Sequence, residues 1–194
     1  MIEWEILAGW SALVAAAATV LGMIALLLFF SRGQPWGTIN DAASVVLMVA
    51  MIPVALLVGT LETETQTTTS LVVTAIGIIG MVVVIGLQGA LVAGVLTYDQ
   101  VKRPVLAAGG VVGVWYLLAG LLAGGTGIAG PPAALAMISG AGFIAVGIGF
   151  GVAGERHPLS VVGGLALFLG STTFLIWLGV RLVTADLVVP TWNA

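Results

Sequence analysis

Few side chains in this 194-residue chain are able to do chemistry, and their spacing decides which chemistries survive. There is no Cys and a single His, His157. That excludes disulfides, thiolate nucleophiles, iron–sulfur clusters and the paired imidazoles of a buried haem or zinc site. Ser139 and His157 have the residue types of a nucleophile and its base, but such a pair must be within hydrogen-bond reach. About 18 residues of helix between them span about 27 Å, so they do not form one. Gly125-Thr-Gly-Ile-Ala-Gly130 matches G-x-G-x-x-G letter for letter. A dinucleotide fingerprint needs a strand before it and a helix opening directly after it, whereas here an apolar helix precedes and Pro131-Pro132 follows. No cofactor or metal is implied and no enzymatic activity is expected.

What remains is a short set of polar residues inside apolar runs. Gln88 is an amide deep in such a run. Facing lipid it would leave donors and an acceptor unpaired at a cost of several kcal/mol, so it is expected to face protein or a cavity. Tyr116, next to Trp115, is the expected partner. Thr173, Trp177 and Arg181 follow one another at helical spacing and form one polar-aromatic stripe ending at Thr184. Arg181 must reach water or a carboxylate, with Glu62 and Glu64 as candidates and Glu3 and Glu5 as competitors. The expected site is therefore a cavity bordered by Gln88, Trp115, Tyr116, Thr173, Trp177 and Arg181, with Glu62 and Glu64 on an acidic outer rim. For each feature there is a plainer structural reading: an interhelical hydrogen bond for Gln88, an interfacial Trp–Arg anchor for the stripe, and simple exclusion of basic residues for the rim. No Asp, Glu, Lys or His falls near the middle of an apolar run, so a proton relay is disfavoured.

The elements that must carry these residues follow from composition. Hydrophobic residues make up 60% of the chain and charged residues 7%, with a mean hydropathy of +1.24. A soluble domain has about 25% charged residues, so the chain is expected to be an all-α integral membrane protein. A spanning helix needs about 20 mostly apolar residues, and six runs qualify, at 6–30, 41–60, 71–98, 104–124, 132–154 and 158–184. They make one transmembrane domain over 1–194, a six-helix bundle with short connections. Arg32, Lys102, Arg103 and Arg156 all fall in odd-numbered connections, so the positive-inside rule puts those in the cytoplasm and both termini outside, with Arg181 dissenting. The expected location is a prokaryotic plasma membrane. The acidic N-terminus reads as a retained span rather than a signal peptide. The net charge of −3 offers no basic surface for nucleic acid.

Pro53 is expected to kink the second helix, and Asn40 or Asp41 to cap it. The basic-then-proline pattern at Arg32, Arg103 and Arg156 suggests a threefold hairpin repeat, although charge bias and Pro at helix starts produce it equally. Gly147 and Gly151 form a small-xxx-small pair, a contact suited to another helix of the bundle, a second copy or another membrane subunit. Two functions follow: a small transport or ligand-binding bundle for a neutral or lipophilic solute, or a non-catalytic accessory subunit. In length and helix count the chain is similar to the substrate-binding subunits of energy-coupling-factor vitamin transporters. It shares no motif with them, and its inferred termini point the opposite way.

Overall fold

A long apolar run in a bilayer has no water to satisfy its amides, so it must close its own hydrogen bonds as a helix. The computed structural model describes residues 2–154 and 157–187, excepting the side chains of residues 2, 62–66 and 153. Six of its helices are long and apolar enough to cross a membrane: α1 (Ile2–Arg32), α2 (Trp36–Leu61), α3 (Thr67–Val92), α4 (Tyr98–Leu122), α5 (Pro131–Ala153) and α6 (Pro158–Val183). The protein is thus an all-helical, multi-pass membrane protein.

Three connections differ from the sequence expectation, each for a local reason. The third was expected at 99–103, yet α3 ends at Val92 and α4 begins at Tyr98. Gly94 adopts φ +71°, and Val95 and Gly94 donate to the Ala90 and Leu91 carbonyls at 2.9 and 3.0 Å. This is the Schellman closure that a glycine beyond a helix end provides. Thr97 then opens α4 with a capping box, its backbone N–H donating to Gln100 Oε1 at 2.8 Å. Pro104, expected to start the helix, lies inside it instead.

The first connection is likewise shorter than expected. Gln34 Oε1 accepts from the Thr38 N–H at 3.2 Å, and the helix resumes at Trp36. Asn40 and Asp41 are therefore inside α2 rather than at its cap. The second connection was expected as a loop over 61–70, but the backbone stays helical from Trp36 to Val92. No Gly or Pro interrupts residues 60–70. In a straight helix Gly59 and Thr74 would be about 22 Å apart. Instead a Cβ at Gly59 would touch Thr74, and Ser70 Oγ donates to the Gly59 carbonyl at 2.7 Å. The helix doubles back on itself there.

Consecutive helices are antiparallel neighbours, and α6 returns to α1, where Gly9 meets Leu182 and Gly179 meets Leu13. Half of the α2 span is buried, against 28–39% for the other five, so α2 is the most interior helix. Glycines let backbones approach closely. A Cβ at Gly140 of α5 would stand 2.5 Å from the Gly113 carbonyl oxygen of α4. Gly147 faces the Leu106 carbonyl of the same chain, at 3.2 Å from such a Cβ, whereas no described residue comes within 4 Å at Gly151.

Arg32, Lys102, Arg103 and His157 gather at one end of the bundle, here the basic end. Arg156 lies outside the described residues. Glu3, Glu5, Arg181 and Asp186 lie at the opposite, terminal end. There Ile128 of the α4–α5 connection and Leu187 are buried in the core cluster.

Candidate ligand cavity

The bundle is closely packed around Tyr116. Tyr116 of α4 packs against Trp115, Phe143 of α5 and Phe174 of α6, with ring centroids 4.7, 6.0 and 6.1 Å away. No room for a water molecule is left where Tyr116 and Phe143 meet Met51 and Ser171. The layer is held by aromatic packing, since buried rings in edge and offset arrangements attract one another beyond the area they bury.

Toward the basic end the helices part. A cavity of about 490 Å³ opens among α1, α2, α3, α4 and Phe150 of α5. A second chamber of about 240 Å³ continues it toward the aromatic layer, ending against Phe143. Leu26, Asn40, Gln88, Val105 and Leu106 line both, so the two chambers adjoin. On α1 the lining runs from Phe30 to Ala18, about 18 Å along the helix axis. That exceeds half the thickness of a hydrocarbon core of about 30 Å. The volume is within the range of small-molecule sites, which run from about 300 to 1,000 Å³.

The walls are mostly apolar, with polar groups at defined levels. Gln34, Thr38, Asp41 and Lys102 line the wider chamber, and Asn40 and Gln88 the junction. Ser44 and Thr19 line the inner chamber, but both hydroxyls are already engaged, donating to the Asn40 and Ala15 carbonyls. Gln88 is different. It is 9% exposed, and its fully buried Oε1 accepts no hydrogen bond from any described residue.

The residues expected to form the site do not come together. Gln88 lines the cavity, while Trp115 and Tyr116 lie in the closed layer beyond it. The Tyr116 hydroxyl meets Met51 Sδ at 3.5 Å rather than Gln88. The separation follows from register: Gly77, not Gln88, lies opposite Trp115, and eleven residues of helix amount to about 16 Å. Thr173 and Arg181 are on the outward side of α6, whose inward side is Phe174, Leu175 and Leu178, and Trp177 is only partly buried beside that core. Arg181 pairs with Asp186 at 3.9 Å, and Thr184 Oγ1 also donates to that carboxylate at 2.6 Å. The side chains of Glu62 and Glu64, the expected acidic rim, lie outside the described residues.

Asn40, Asp41 and Lys102 were missed as lining groups because the sequence boundaries put them at a cap or in a loop. The signal was present: Thr97 and Gln100 at capping-box spacing move the start of α4 from Pro104 back to Tyr98, which brings Lys102 onto a helix face. No protein-family model matches the chain, and comparisons with curated proteins and with solved structures find no significant match.

Proposed function

We propose that this membrane protein binds a small, net-neutral, largely apolar solute in the cavity at its basic end, and serves as a ligand-binding or transport bundle. The observation that carries this reading is Gln88, which lines the junction of two chambers while its Oε1, closed off from solvent, has no partner among the described residues. A buried acceptor left unpaired costs about 1–3 kcal/mol. Turned toward the space by a change of rotamer, the amide accepts from a solute and recovers that cost while the solute's apolar body fills the space. By the positive-inside rule the basic end is cytoplasmic, so the solute is taken from the cytoplasm or the inner leaflet. The aromatic layer favours a one-ended site over a continuous pore.

Native mass spectrometry after mild detergent extraction tests this. The wild-type chain is expected to retain a small molecule that Leu106→Trp, which fills the junction, excludes and Gln88→Leu retains less well. Identical adducts on wild type and Leu106→Trp would remove the reading. A second reading, an accessory subunit, draws on α5, the helix with the smallest buried share. Its Ile148, Gly151 and Val152 face outward, open to another helix. Co-purification of a second protein in fixed stoichiometry, lost in Gly151→Leu, would favour it.

A further inference from the structure

We infer that the occupant of this cavity is a zwitterion, carrying an ammonium group and an acidic anion on an apolar body, with Asp41 holding the first and Lys102 the second. This rests on the reading of the cavity as a ligand site and adds the charge class of the ligand.

Asp41 from α2 and Lys102 from α4 line the same chamber, and both are partly buried. Opposite charges that share a low-dielectric space ordinarily pair, because each loses hydration on burial. These two do not. The ion pair found among the described residues joins Arg181 to Asp186 at the other end of the bundle. The contacts found for them are with uncharged groups: the Asn40 side chain for Asp41, and for Lys102 the Tyr98 ring, whose centroid is 5.6 Å from Lys102 Nζ; Asp99, one turn before Lys102, forms no ion pair with it. The chamber therefore presents an acceptor of negative charge and a donor of positive charge held apart across it.

The same chamber is walled by Leu26, Phe29, Phe30, Val105 and Phe150, and Gln88 lines its junction with the inner chamber. A neutral occupant leaves both charges without a counterion, and a singly charged one leaves one of them so. A zwitterion meets both, and its apolar part occupies the remainder. An ethanolamine headgroup on a lipid chain and a free hydrophobic amino acid share this chemistry, and the experiment separates them.

The full-length protein in detergent is titrated with two probe series, followed by thermal unfolding. One is phenylalanine with its deletion analogues phenethylamine, 3-phenylpropanoate and 2-phenylethanol. The other is lysophosphatidylethanolamine, below its micellar concentration, with lysophosphatidate and monoacylglycerol. In one series, which identifies the source, the zwitterion is expected to half-saturate at a concentration at least tenfold lower than every analogue. Asp41→Asn should erase its advantage over the anion-only analogue. Lys102→Gln should erase its advantage over the amine-only analogue in the phenylalanine series, or over the neutral monoacylglycerol in the lipid series. A neutral analogue that binds wild type as well as its zwitterion overturns the inference and leaves the proposed function standing. No shift of wild type with either zwitterion also overturns it, while the retained-adduct experiment with Leu106→Trp judges the cavity independently. The wild-type comparison decides the matter even if a variant fails to fold.

Discussion

Replacing Gly140 by alanine adds one methyl group where α4 and α5 are closest to backbone contact. The new carbon would stand 2.5 Å from the Gly113 carbonyl oxygen, 2.7 Å from the Leu117 nitrogen and 2.8 Å from Leu117 Cγ. Carbon and oxygen approach to about 3.3 Å even in the closest favourable contacts. The obstructing atoms are mostly backbone, so relief requires the helices to part by about 0.8 Å rather than one side chain to turn. Overpacking of this kind costs about 1–3 kcal/mol. For a chain of this length each kcal/mol moves the unfolding midpoint by about 2–4 °C, so Gly140→Ala should lower it by about 2–12 °C. Gly151→Ala is the internal control. No described residue lies within 4 Å of its Cβ position, and alanine is favoured over glycine in a helix by up to about 1 kcal/mol, so its midpoint should hold or rise. Differential scanning fluorimetry in one detergent measures both. A Gly140→Ala midpoint equal to wild type, or above that of Gly151→Ala, would refute the close approach of α4 and α5.

Gly147→Leu projects into the inner chamber, so ligand-induced stabilisation should fall more than tenfold in probe concentration. Full retention of binding would mean the chamber is not occupied. Ala185 ends α6 at φ 57° with its N–H bonded to the Leu182 carbonyl, a conformation that costs a residue with a Cβ about 1 kcal/mol or more. Ala185→Gly should therefore raise the midpoint by about 2–4 °C, and a lowered midpoint would contradict that helix ending. For topology, the chain has no native Cys, so single cysteines at Gly33 and Thr67 report cleanly. On intact cells an impermeant maleimide should label the second and not the first, and the reverse pattern would invert the bundle.

The apolar runs made the helix number and the bundle legible, because a bilayer leaves such a run one way to satisfy its backbone. The helix ends were less legible, and the cavity turned on them. Starting α2 at Asp41 and α4 at Pro104 makes Asp41 a cap and Lys102 a loop charge. Starting them at Trp36 and Tyr98 puts both on helix faces that line one space. The cues for the true ends were Gly94, the Thr97–Gln100 box and the Gln34 side chain, all short-range. That Gln88 faces inward was legible for a different reason. Cost alone decides that a deep amide faces inward, but which residues stand opposite depends on the α3–α4 register. Gly77 and Gly80 set that register by admitting Trp115 and Val111, and glycines in a chain with 28 of them do not announce which partner they receive.

Leu106 lies at the junction of the two chambers, whereas Phe174 is buried in the aromatic layer. With Leu106→Cys and Phe174→Cys in turn as the only thiol, a small impermeant maleimide is applied to right-side-out and inside-out membrane vesicles. A one-ended cavity at the basic, cytoplasmic end predicts labelling of Leu106→Cys in inside-out vesicles alone, slowed by bound ligand, and no labelling of Phe174→Cys in either. Labelling of Leu106→Cys from the terminal end, or its inertness from both, would contradict the account.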